Sequence, residues 1–152
     1  MTVEIRLLGP DDRAVLDRVA PDVFDHPVAP RWAAEFLGDP RHHLAVALDE
    51  GVVVGFASGV HYIHPDKPPE LWINEVGVAL THRRQGIAAR LLSALLDHGA
   101  RLGCVQAWVL TSPANTAARQ LYARAGGREA EELSVMVEFP LAPADAGNAR
   151  TD

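Results

Sequence analysis

The chain has 152 residues, 48% hydrophobic and 22% charged, the profile of one soluble globular domain with a real core and too little chain for two. A formal net charge of -6 argues against a nucleic-acid backbone as partner, which needs clustered Lys and Arg, and suits a cationic small molecule. No apolar run approaches the ~20 residues of a membrane helix, the first residues lack the order of a signal peptide, and the lone Cys104 leaves no internal disulfide and no Cys/His cluster for a metal; a reducing cytoplasm is the expected compartment.

Val3 to Leu8 alternates apolar and polar residues and predicts a first strand, ended by Gly9-Pro10. Asp11 or Asp12 is expected to cap a helix whose buried side carries Ala14, Val15, Leu16 and Val19, with Pro21 as its stop. Asp22 to Val28 reads as loop, and a second short helix is predicted from about Pro30 to Leu37. Two strands, His43 to Leu48 and Val52 to His61, form a predicted hairpin across Asp49-Glu50-Gly51. A proline-stiffened loop follows, in which His61 and His64 read as loop residues rather than metal ligands or a base.

Leu71 to Val78 is rich in β-formers, breaks at the basic turn Thr81 to Gln85, and continues as a helix with Ile87, Leu91 and Leu95 on one stripe. Gly77 inside this strand predicts a bulge or a close approach by ligand, opening a cleft beside the next strand. That next strand is expected within Cys104 to Leu110. Asn115 or Thr116 then caps a helix terminated by Gly126-Gly127. Leu133, Val135, Val137 and Phe139 alternate with Ser134, Met136 and Glu138 and predict a last strand, whose edge could pair two copies in a homodimer. Residues 1–139 are thus one domain, and 140–152 read as a disordered tail. Strands interspersed with helices make a mixed α/β sheet with helices on both faces.

The turn carries the chemistry. A chain entering a helix presents N–H groups without intrahelical partners, and with the helix dipole they seat a phosphate. Gly86 lets an oxygen approach the backbone, and Arg83 and Arg84 add permanent charge.

Arg83-Arg84-Gln85-Gly86-Ile87-Ala88 resembles the Gln/Arg-x-x-Gly-x-Gly/Ala pattern with which the GNAT superfamily of N-acetyltransferases holds the pyrophosphate of acetyl-CoA. The later block Asn115-x-x-Ala118-x-x-Leu121-Tyr122-x-x-x-Gly126 is similar to the family's as well. The resemblance covers about Val3 to Phe139 and implies the GNAT fold, a mixed, mostly antiparallel sheet splayed at the central strand. It also implies acetyl-CoA as co-substrate, without a metal, and direct transfer of acetyl to a primary amine.

By that resemblance Arg83, Arg84, Gln85, Gly86, Ile87 and Ala88 hold the pyrophosphate, and Val76 and Val78 pair by strand addition with the pantetheine amides. Asn115 and Ala118 complete the cofactor set; Asn115 bonds the cofactor's amides, caps its helix, or does both. Tyr122 matches the tyrosine that protonates the leaving thiolate, a phenol near ~10 being protonated at neutral pH; the alternative is that it only packs and hydrogen-bonds the sulfur. Glu75 is the candidate base. An ordinary glutamate near ~4.3 is a weak base for an ammonium, so the role requires burial or an intervening water; the alternative is recognition of a cation without proton transfer. Cys104 lacks an adjacent base and is not expected to carry an acyl group.

Ala57 to Ala88 looks most like the aminoglycoside 3-N-acetyltransferases, in Glu70, Trp72, the acidic Glu75 and the run His82 to Ala88, although Asn74 stands where those enzymes have an aromatic and Glu75 is one methylene longer than their aspartate. The resemblance implies a resistance enzyme acting on a polycationic antibiotic, with Asp25, Glu70 and Glu75 binding substrate and Asp22 nearby. The alternatives are transfer to a protein N-terminus, a lysine or a small metabolite amine, and a non-catalytic acetyl-CoA-binding module.

Overall fold

The computed structural model describes residues 2–143. Five strands form one sheet in the order β1 (Glu4–Leu7), β2 (His42–Asp49), β3 (Val52–Tyr62), β4 (Glu70–Val78) and β5 (Ala107–Val109). The first four are antiparallel neighbours, and β5 is parallel to β4. A parallel neighbour requires a crossover, supplied here by helix α2 (Ile87–Arg101). Helices α1 (Pro30–Gly38) and α3 (Thr116–Arg124) complete the regular structure.

Side-chain alternation sorts the sheet into two faces. Gly55 and Gly59 of β3 lie against Ile87, Leu91 and Leu95 of α2, and Leu71 of β4 packs on Gly99. On this side Leu71, Leu91, Leu92 and Leu95 are almost wholly buried, each stabilising the fold by roughly 1.5–3 kcal/mol relative to exposure. Phe56 points the other way and stacks on Phe24 at 4.2 Å, on the side where Ala33 and Leu37 of α1 and Leu16 are buried. Helices therefore cover both faces, as expected, and the hairpin, α1, β4 and α2 form where the sequence predicts them.

Three local expectations are corrected. The helix predicted after Asp12 is only a 3-10 turn, Arg13–Asp17, with no side-chain cap. The Asp12 carboxylate instead accepts from Gly9 N–H at 2.7 Å and Arg6 at 2.9 Å, and Val53 of β3 takes up the backbone of Arg18 and Ala20, so extended pairing competes with helix. The bulge lies at Asn74 rather than Gly77: Ser58 pairs with Glu75 and Gly59 with Ile73, leaving Asn74 without a partner, whereas Gly77 pairs regularly with Phe56. Gly77 is glycine because an added Cβ would stand 2.7 Å from the Val23 carbonyl oxygen and 2.9 Å from the Phe56 ring.

The third correction is the last strand. Residues 133–139 pair with no strand, and Leu133 is 93% and Phe139 78% exposed. Alternation prescribes a strand, but only a partner edge makes one. Residues 140–143 are irregular and exposed; the remainder of the tail expected to be disordered, residues 144–152, lies outside the described residues.

Candidate active site

Past β4 the chain makes a 3-10 turn, Leu80–His82, and reaches α2 through two residues in left-handed backbone, Arg84 at φ 62° and Gly86 at φ 74°. For glycine this geometry is free, while for arginine it costs on the order of 1 kcal/mol. Gly86 is the N-cap of α2 and offers no side chain to its unpaired N–H groups, and a Cβ there would meet open space. The mouth of the helix is thus open to an oxyanion, with Arg83, Arg84 and Gln85 exposed around it and Ile87 buried beneath.

The loop is tied down at both ends. Arg83 donates from Nε to the Val78 carbonyl at 3.2 Å. His82 donates from Nε2 to Asp49 Oδ2 at 2.7 Å, while its Nδ1 lies 2.8 Å from the Thr81 hydroxyl; the carboxylate can only accept, which fixes the direction of that bond. Sequence reading passed over the His82–Asp49 contact, since nothing local marks a histidine that will meet the turn of a distant hairpin.

β4 and β5 pair only from Leu71 to Ile73. Beyond the bulge no pairing joins β4 to β5 along Asn74 to Val78, the stretch that carries Val76 and Val78. A cleft of about 340 Å³ lies here, walled by Val76, Gly77, Val78, Arg83, Asp22 and Asp25 and floored by Phe56. A second hollow, about 380 Å³, is walled by Phe24, Trp32, Phe36 and Val28 of the α1 side. The two share Asp25 and Glu75. The strand turns Glu75 to the α1 face, and its side chain lies exposed where the hollows meet.

The other predicted residues are more dispersed. Glu70 stands at the opposite end of β4, with its carboxylate 3.1 Å from His64 Nε2. Asn115 caps α3, accepting from Ala118 N–H at 3.1 Å, so the capping alternative is realised. Tyr122 is half-buried against the core, and burial pushes its phenol above the ordinary 10. Cys104 is half-buried, and burial likewise raises its thiol, the opposite of what a nucleophile needs. His61 is more than a loop residue: its Nδ1 lies 2.7 Å from His43 Nε2, and His43 Nδ1 lies 3.0 Å from His98 Nε2, a chain of three imidazoles across β3, β2 and α2. Each bond uses a different nitrogen of His43, so the chain does not converge on a metal, and no group of three or more His, Cys, Asp or Glu among the described residues is placed to hold one. Nor is any described helix long and apolar enough to cross a membrane.

An open helix mouth after a bulged strand is a local arrangement, and its assignment comes from the whole chain. Residues 13–127 match the model of the acetyltransferase (GNAT) family. This chain belongs to the acetyltransferase (GNAT) family. Among relatives of this GNAT chain, the L-2,4-diaminobutyric acid acetyltransferase of Streptomyces coelicolor is 38% identical over 113 residues, covering 73% of this chain and 63% of that protein. The aminoglycoside N(6')-acetyltransferase type 1 of Salmonella typhimurium is 30% identical over 97 residues, 60% of this chain and 67% of that one. The chain thus spans under two thirds of the diaminobutyric acid relative's length. Among solved structures, an aminoglycoside acetyltransferase from an uncultured soil metagenomic sample superposes with a TM-score of 0.76 at 22% identity, covering 93% of this chain and all of that one, a likeness of GNAT fold.

Proposed function

We propose that this protein is an acetyl-CoA-dependent N-acetyltransferase whose acceptor is a small molecule carrying several primary amines, of the aminoglycoside kind. The observation that carries this reading is the meeting of two hollows at Asp25 and Glu75. One reaches Arg83, three residues before the N-cap of α2, and suits a phosphorylated thioester; the other is aromatic-walled and suits the amine. The 3-amino position follows from the sequence resemblance, whereas the Salmonella relative is named for the 6' amine; product structure decides between them.

In this reading the pyrophosphate rests on the N–H groups from Gln85 to Ala88, flanked by Arg83 and Arg84, and the pantetheine amides pair along Val76 and Val78. The carboxylates of Asp25 and Glu75 draw in the ammonium, and Glu75 removes its proton through a water. The neutral amine attacks the thioester carbonyl, the C–S bond breaks as the tetrahedral adduct collapses, and Tyr122 protonates the departing sulfur, its phenol restored by the proton that the new amide nitrogen sheds. Asn115 and Ala118 hold the start of α3 close to the cofactor, while Glu70, paired with His64, lies farther along the acceptor side.

A second reading is a diamino-acid acceptor, favoured by the 38% identity to the diaminobutyric acid enzyme. Thiol release measured across gentamicin, L-2,4-diaminobutyrate, a lysine peptide and a peptide with a free N-terminus separates these. Release with gentamicin supports the first reading and release with diaminobutyrate alone the second; acetyl-CoA binding without release from any amine leaves a binding module. The homodimer belongs to the proposal too, through the unpaired apolar segment 133–139, and sedimentation equilibrium tests it.

The tie between His82 and Asp49 gives a sharper expectation. Asp49→Asn leaves a weaker, neutral hydrogen bond and loosens the loop that meets the pyrophosphate. KM for acetyl-CoA is expected to rise about fivefold, an effect of about 1 kcal/mol, with acceptor KM little changed; steady-state kinetics checks it.

A further inference from the structure

The α1 face of the sheet continues past Glu75, and what it carries there, Glu70 apart, has no part in the reading above. Trp72 of β4 stands opposite Trp108 of β5 in the parallel register, their rings 5.1 Å apart and 12° from parallel. Tyr62 at the end of β3 stacks 6.0 Å from Trp72 and 6.3 Å from Trp108. Leu71 packs on α2, so its neighbour Trp72 projects to the opposite face, the one that carries Glu75. Glu70, two residues from Trp72, shares that face, and in register it pairs with Tyr62.

The outer side of β4 therefore reads carboxylate, aromatic, carboxylate: Glu70, Trp72 and Glu75. Trp72 and Trp108 are only half-buried and Tyr62 is 39% exposed, where a purely structural stack would be covered. Aromatic faces carry negative quadrupoles that attract cations lying over them, and flat rings also take the C–H face of a sugar. With an acid at each end the strip is negative along its length. Because Asn74 is bulged out, Trp72 and Glu75 stand opposite Val60 and Ser58, two residues apart on β3, so at about 3.3 Å per residue Trp72 lies roughly 7 Å along the strand from Glu75, farther than the second amine of a short diamino acid held at Glu75 but within reach of a neighbouring ring.

We propose that Trp72, Trp108 and Tyr62 form a second acceptor subsite, which holds a cationic amino-sugar ring of the acceptor beside the ring that is acetylated. The inference rests on the transferase reading and specifies its acceptor as an extended, multi-ring polyamine. Glu70 orients the ring's ammonium at the far end of the strip, and His64 holds the Glu70 carboxylate.

The test is Trp108→Leu and Trp108→Phe in the full chain, with gentamicin and L-2,4-diaminobutyrate as probes. Trp108→Leu is expected to raise KM for gentamicin about tenfold, the scale of one lost cation–π contact. KM for acetyl-CoA stays within twofold, kcat falls by less than KM rises, and Trp108→Phe recovers most of the loss. A gentamicin KM that is the same in both variants and the parent overturns the subsite even with the transferase fully active. If no amine releases thiol, tryptophan fluorescence is titrated with gentamicin directly: a response lost in Trp108→Leu supports the subsite although transfer has failed, and no response overturns it.

Discussion

Tyr122→Phe is expected to lower kcat by about a hundredfold while leaving acetyl-CoA affinity within a factor of two. Proton donation by a placed side chain contributes about 10²–10⁴-fold, and removal of the hydroxyl alone takes away the proton without the ring. The side chain is half-buried on α3, and burial pushes its phenol above the ordinary value, so it is protonated at neutral pH. Isothermal titration with CoA measures the binding half of the expectation, and single-turnover acetyl transfer measures the other. An unaltered single-turnover rate would mean that water, not the phenol, protonates the sulfur.

Stability is expected to fall as the solution is acidified from pH 7 to 5, with His43 as the main cause. The residue is 6% exposed, and its pKa is lowered from 6.5 to about 4, first by burial and then by His98 and His61. The unfolded chain therefore takes up a proton below pH 6.5 that the folded chain refuses until about 4, so stability is full above that window and drains away on descending through it. At about 1.4 kcal/mol per unit, the loss across the window is roughly 3 kcal/mol, and about half of it accrues by pH 5. His98, lowered chiefly by burial, pulls in the same direction. Thermal unfolding should show a midpoint about 5 °C lower at pH 5 than at pH 7 for a chain of this size. His43→Gln, which keeps a polar partner for its neighbours but does not titrate, should flatten that dependence.

The stretch from Leu71 to Leu95 was legible because its signals are local: apolar periodicity changes from strand to helix across a turn, and Gly86 falls where left-handed backbone is required. The hairpin was legible for the same reason. What failed was long-range. Val53 taking up Arg18 and Ala20, and residues 133–139 finding no edge, depend on where other strands run. The site divides likewise. The helix mouth and Asn115 as a cap could be read from neighbouring residues. The convergence of Asp25 with Glu75, of His82 with Asp49 and of Trp72 with Trp108 is set by register and loop path, which no short window contains. One signal was present and unread: the inward apolar positions of β4 change from Leu71 and Ile73 to Val76 and Val78, from odd to even, which announces an extra residue between them.

That extra residue, Asn74, is unnecessary for packing. Were it excised, Ile73 would be followed directly by Glu75, the two inward rows would merge into one unbroken alternation, and Glu75 would still emerge on the outer side. Only the divergence of the two parallel neighbours would lose its cause. In the proposed reading the irregularity at Asn74 serves the guest molecule rather than its host, and a shortened chain is expected to fold at least as firmly while binding acetyl-CoA less well.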